Sequence, residues 1–177
     1  MAVLKLNNVP VITEAAGVAQ MATTLKYPAG HIIQVVSTPI TSGTGTSSAS
    51  YVVTSIQGTI TPTDASNKIW IMISTSVRGD TQTGNSGQGT ICRGNGGYSS
   101  GNDLSPSGPM TAWVHNDNSS TGSIGGVSFS FLDSPNTTSA QTYAVYLKLS
   151  NGSYTRMPED TKTTGVSANI TLMEISQ

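Results

Sequence analysis

The sequence predicts an all-β chain, a jelly-roll-like β-sandwich of about eight strands preceded by an extended N-terminal arm. Three observations predict it. Short β-branched runs recur along the chain, separated by Gly, Pro and Asn turn signals. No convincing helical period appears after residue 30. The chain carries 25 Ser and 25 Thr among 177 residues, with 10% charged side chains against about a quarter in an average soluble domain, so hydroxyls and bare backbone dominate its surface.

Two regions follow, an arm over residues 1–30 and a sandwich over residues 31–177. In the arm, Val3, Leu4, Leu6, Val9, Val11 and Ile12 are apolar residues broken by Asn7, Asn8 and Pro10, which reads as an extended segment with a turn. The Ala-rich stretch Glu14–Thr23 is read as two or three helical turns with Thr13 as N-cap, although Gly17 in its middle costs about 1 kcal/mol relative to Ala. Pro28 and Gly30 close the arm. Such a segment is either a frayed terminus or an assembly arm whose Leu4, Leu6, Val9, Val11 and Ile12 contact neighbouring subunits.

Strands are expected at Ile32–Thr38, Tyr51–Thr61 with a break near Gly58, Lys68–Val77, Gly89–Arg93, Met110–His115, Val127–Leu132, Tyr143–Ser150 and Ala168–Ile175. Lys68–Val77 is the strongest signal: Ile69, Ile71 and Ile73 share one face, Trp70 and Met72 the other. With both faces apolar, that strand belongs in the middle of a sandwich or at a subunit interface. Pro62 and Asn67 bracket one turn, Pro135 and Asn136 another, and Asn151-Gly152 signals a hairpin. Between Arg78 and Pro109 the composition shifts to Gly, Ser, Asn and Thr, the longest loop-rich stretch of the chain.

Composition and motifs exclude most chemistry. A net charge of −1 without a basic run offers no footprint for nucleic acid or an anionic membrane. No apolar run approaches the roughly 18 residues of a membrane span, and Met1–Leu6 lacks the h-region of a signal peptide. The lone Cys92 allows no internal disulfide and reads as a small buried apolar residue. His31 and His115 stand far apart with no metal-ligand spacing, so no metal or cofactor is expected. Asp80, Asp103, Asp117 and Asp133 lie in or beside polar loops without an Asp-x-Asp-x-Asp-Gly pattern and read as turn aspartates. The glycines of Gly84–Gly89 and Gly94–Gly97 lack the strand-to-helix context and lysine of a phosphate loop and are assigned to tight turns. Glu159 and Asp160 are adjacent and do not form the separated pair of a glycosidase, and no nucleophile elbow is present, so no catalytic residue is assigned. A carbohydrate contact is the one ligand the residue types suit: Tyr98, Trp113, His115 and Asn116 combine aromatic rings with polar edges, while core packing is the competing reading for Trp113.

Several strings together resemble a β domain common in structural proteins of tailed bacteriophages, especially those of aquatic hosts. They are Gln34-Val35-Val36-Ser37-Thr38, the Ser/Thr run to Tyr51, Gly58-Thr59-Ile60-Thr61-Pro62, Ser66-Asn67-Lys68-Ile69-Trp70-Ile71-Met72, Phe131-Leu132-Asp133-Ser134-Pro135 and Ile170-Thr171-Leu172-Met173-Glu174-Ile175. The resemblance covers roughly His31 to the C-terminus in this order. It implies a virion module that assembles as trimers, and it transfers no catalytic residue. Two expectations follow. The first is a non-catalytic capsid decoration (cement) or head-fibre protein, bound to the major capsid protein or other virion proteins through its arm. The second is a tail-fibre or spike module that binds a host glycan. In both, a low-charge surface suits subunit packing because few ions are desolvated when surfaces meet.

Overall fold

The structure is a computed structural model and describes residues 3–21, 27–79, 85–105, 107–115, 123–161, 165–166 and 168–177. All regular elements among them are strands. The N-terminal sheet contains β1 (Val3–Leu6), β2 (Val9–Ala15) and β3 (Val18–Met21) in that order. Then come β4 (Ile32–Ile40), β5 (Thr44–Thr46), β6 (Val52–Ile60), β7 (Lys68–Gly79), β8 (Asn85–Arg93), β9 (Thr111–His115), β10 (Ser123–Asp133), β11 (Gln141–Asn151), β12 (Thr155–Met157), β13 (Asp160–Thr161), β14 (Gly165–Val166) and β15 (Ala168–Ile175).

Eight of these form the sandwich, and they are the eight expected strands. Their pairing is nested: β4 with β15, β6 with β11, β7 with β10 and β8 with β9, all antiparallel. This is a long hairpin folded on itself, closed by two further ladders, β15 with β7 and β11 with β8. One sheet therefore runs β4-β15-β7-β10 and the other β6-β11-β8-β9. Counted by chain position the orders are first-eighth-third-sixth and second-seventh-fourth-fifth, the jelly-roll topology of two Greek keys. The short strands β5 and β12 pair with each other, and β12 extends the first sheet beyond β15 along β7.

The core lies between the sheets. Ile69, Ile71, Ile73 and Val77 of β7 and Ile170 and Leu172 of β15 meet Ile56 and Ile60 of β6, Ile91 of β8 and Tyr143, Val145 and Leu147 of β11, all nearly sealed from solvent. Full burial of each such side chain contributes roughly 1.5–3 kcal/mol. At Gly58 the backbone of β6 packs tightly on β15: a Cβ there would lie 3.2 Å from both Ile170 Cγ2 and Leu172 Cδ1. That approach explains the glycine. The strand runs unbroken through it, and the irregularity expected there falls instead between Gln57 and Val53.

Other expectations are corrected. Glu14–Thr23 is not helical where described, through Met21: its residues belong to β2 and β3, joined at Ala16 (φ +52°) and Gly17 (φ +79°). Positive φ at both central residues matches a two-residue hairpin turn, and Gly17 N–H donates to Glu14 Oε1 at 2.8 Å. Residues 22–23 of that stretch lie outside the described residues. Asn7 (φ +48°) and Asn8 (φ +66°) make the same kind of turn between β1 and β2. Asn151-Gly152 turns the chain without closing a hairpin, because β12 leaves the sheet of β11 to pair with β5 and β7. Gly87 and Gly89, assigned to turns, lie inside β8, where the ladder with β11 and β9 needs only backbone.

Two buried carboxylates tie loops and sheets together. Asp133, at the end of β10, accepts from Arg93 Nη2 (2.6 Å), Arg93 Nε (3.1 Å) and Tyr143 Oη (2.7 Å), linking the two sheets. Burial, and then the hydrogen bond to Asp133, push the Tyr143 phenol above its ordinary range. Glu174 of β15 accepts from Thr63 N (2.7 Å), Thr63 Oγ1 (2.8 Å), Asn67 Nδ2 (2.7 Å) and Gln34 Nε2 (2.6 Å). Burial alone would raise its carboxyl; the hydrogen bonds from Asn67, Gln34 and Thr63 outweigh that and hold it below the usual carboxylate range. A depressed folded value means that its stabilisation is complete above the ordinary carboxylate pKa and is lost as pH falls through the folded value. Glu174→Gln, which turns a donor toward these donors, should lower stability by about 1–3 kcal/mol at pH 7. Urea denaturation should find that the difference from wild type narrows at pH 3, and a difference that persists undiminished would refute this assignment.

Candidate functional site

The outer faces of the sheets differ. On the sheet of β6, β11, β8 and β9, Cys92, Ala144 and Tyr146 point outward yet are buried, with Tyr51 and Val53 packed against them. Their cover is the glycine-rich stretch that follows β8. Gly94 (φ +93°) and Gly97 (φ +137°) bend it back, Tyr98 lies over Tyr51 with ring centroids 4.4 Å apart, and Gly97 N–H donates to Tyr146 Oη at 3.0 Å. Asp103 fixes it further, accepting from Thr90 Oγ1 (2.6 Å), Ser105 N (3.0 Å) and Tyr98 Oη (3.0 Å). Lys148 Nζ sits 4.7 Å from the Tyr51 ring centroid, within cation–π range. Burial, then Asp103, pushes the Cys92 thiol up to about 12; burial, then Tyr98, does the same to the Tyr51 phenol. These residues form a second, smaller core.

Among the described residues, the outer face of the sheet of β4, β15, β7 and β10 has no such cover. Ladder register places Val35, Met173, Trp70 and Leu132 side by side in one row across four strands. Val35 is 54% exposed, Trp70 39% and Leu132 48%. Met72, in the next row between Thr171 and Ser130, is 39% exposed. The two-faced strand is thus central in its sheet, with the isoleucines in the core and Trp70 and Met72 outward.

Among the described residues the N-terminal sheet is likewise open. Leu4 and Ile12 are in register on one side, and Leu4, Leu6 and Ile12 are exposed. Val9 and Val11 lie on β2, so the five arm residues singled out in the sequence come together on two adjacent strands. Val3 and Val18, also exposed, occupy the opposite side. Among the described residues this sheet has no ladder to the sandwich.

Of the carbohydrate candidates, Tyr98 lies over Tyr51 and donates to Asp103, while Trp113 and His115 stand on β9 in register with Gly87 and Asn85. Asn116 lies outside the described residues, as do Asp80 and Asp117. Asp103 and Asp133 are held by protein donors, and Glu159 is paired with Arg78 at 3.1 Å. Among the described residues no group of three His, Cys, Asp or Glu is placed to hold a metal.

No protein-family model matches the chain, and no curated protein matches it. Similar solved structures come from infectious bursal disease virus. Over 99% of its length the chain aligns with 46% of a chain in the Gx strain structure, at 10% identity and a TM-score of 0.39. Corresponding values are 94%, 44%, 11% and 0.39 for the T13 viral particle, and 97%, 48%, 12% and 0.38 for the VP2 subviral particle. This chain spans less than half the length of each. Similarity of that degree carries no functional weight, and the jelly-roll assignment rests on the strand pairing of this chain.

The cover over Cys92 has a chemical readout. A disulfide-exchange reagent at pH 8 should leave the folded protein unlabelled and label one thiol per chain after denaturation. Tyr98→Ala should raise labelling of the folded protein on the order of tenfold by loosening that cover; an unchanged rate would mean that Tyr98 does not seal the site.

Proposed function

We propose that the protein is a non-catalytic structural subunit of a virion, a capsid decoration or head-fibre protein that attaches through its N-terminal sheet and projects the jelly roll. The observation that carries this reading is the pair of apolar sheet faces that the described residues leave exposed on a chain of low charge. Large exposed apolar patches mark interaction sites, and neutral faces associate without desolvating ions. Jelly rolls serve viral capsids among other hosts, which is support by analogy. The sequence resemblance to bacteriophage structural modules points the same way. Association as a homotrimer belongs to this proposal and is drawn from that resemblance.

A second reading, host-glycan recognition at a tail fibre or spike, draws on the exposed ring of Tyr98. Its neighbours weaken it: Tyr98 Oη donates to Asp103, and Asn102 is engaged by Ser99 N and Gly97 O, so these polar groups already have protein partners.

Antibody raised against the full chain and imaged by electron microscopy on purified virus particles tests both. Label over the head is the expected result, label at the tail tip would favour the second reading, and particles devoid of the protein would overturn both.

A further inference from the structure

We propose that the apolar outer face of the β4-β15-β7-β10 sheet is covered, in the assembled protein, by the N-terminal sheet of a second copy of this chain. This rests on the reading of the protein as an assembling subunit and assigns the Leu4 and Ile12 side of the N-terminal sheet to a second copy, which leaves the Val3 and Val18 side for attachment to the virion. Among the described residues neither surface has a second layer. A sheet is stable when one face is buried against another element, and a small isolated sheet is marginal in water.

The two faces match in chemistry. The sandwich presents Val35, Trp70, Leu132 and Met72; the N-terminal sheet presents Leu4, Leu6 and Ile12. Each apolar patch is flanked by one charged position, of opposite sign. Lys68 precedes Trp70 by two residues on the same side of β7, and Glu14 follows Ile12 by two on the same side of β2. With β2 laid antiparallel over β7 so that Ile12 meets Trp70, Glu14 meets Lys68. At the far end of the sandwich face Arg78 is already paired with Glu159.

The area argues for exchange over simple face-to-face pairing. Four strands about 4.8 Å apart and five residues long span about 19 by 17 Å, roughly 300 Å², well under the ~800 Å² per partner of a stable interface. Exchange in which each copy both gives and receives an N-terminal sheet roughly doubles the contact per chain.

Within one chain the described residues leave the two apolar faces exposed and apart. The arm's root is pinned at the end of β15, with Gly30 N–H donating to Ser176 O (2.8 Å), Ser176 N–H to His31 O (2.9 Å) and Ser176 Oγ–H to Tyr27 O (3.0 Å). It therefore starts beside this face. Yet within one chain Trp70 and Leu132 stay open and the N-terminal sheet keeps Leu4 and Leu6 in solvent.

Full-length Leu4→Cys and Leu132→Cys proteins, one carrying a mass label, test this after mixing and treatment with a short bismaleimide. Crosslinks between labelled and unlabelled chains are expected in the mixture, joining residues 4 and 132, with little from either protein alone. In sedimentation velocity Lys68→Glu should weaken association about tenfold and added Glu14→Lys should restore it. The proposal is overturned if the protein is monomeric, if a chain carrying both Leu4→Cys and Leu132→Cys crosslinks only within itself, or if the protein associates without this crosslink. A protein absent from virus particles that still crosslinks this way would overturn the virion reading alone.

Discussion

Everything in this fold hangs on the strict alternation of β7 and on its position between two long ladders. One edge pairs with β10 over the length of the strand, the other with β15 and then β12. Because side chains alternate with period two, the register that buries Ile69, Ile71 and Ile73 also sends Trp70 and Met72 outward. A slip of one residue would exchange the faces. The same register lines Trp70 up with Val35, Met173 and Leu132, so the core and the exposed apolar row are consequences of one pairing.

With few charges available, the chain uses them as ties. Asp133 joins the two sheets through Arg93 and Tyr143, and Glu174 gathers the Thr63–Asn67 loop and Gln34 around the last strand. Burying a carboxylate is costly unless it is well bonded, and both are saturated by donors. Asn67, held by Glu174, accepts in turn from Gln177 N at 3.2 Å, so the C-terminus is anchored by the same network. The arm's root is fastened to Ser176 next to it, which links the position of the arm to the polar core of the sandwich.

The two outer faces show how one architecture yields a closed and an open surface. Over β8 and β11 the glycine-rich loop folds back and supplies Tyr98, so the outward Cys92 and Tyr146 gain a cover. Over β7 and β15 no loop among the described residues does the same. A neutral apolar strip there and another on the N-terminal sheet are the apolar surfaces that the described residues leave exposed.

Local pattern alone determined the eight sandwich strands, the two faces of Lys68–Val77, the buried nature of Cys92 and the absence of a recognisable catalytic motif, because alternation and turn chemistry act between residues close in sequence. The same locality misled at Glu14–Thr23, where alanine content suggested a helix; positive φ at Ala16 and Gly17 and pairing with β1 made it a hairpin. Tertiary structure decided the strand order, the donors to Glu174 and Asp133 and the inward folding of the glycine-rich loop. It also decided which apolar face is left open. Gln34 and Glu174 stand 140 residues apart in the chain, and the row Val35–Met173–Trp70–Leu132 is assembled from four separate strands. Proximity of that kind comes from the wrapping of the nested hairpin and is invisible to any window of sequence.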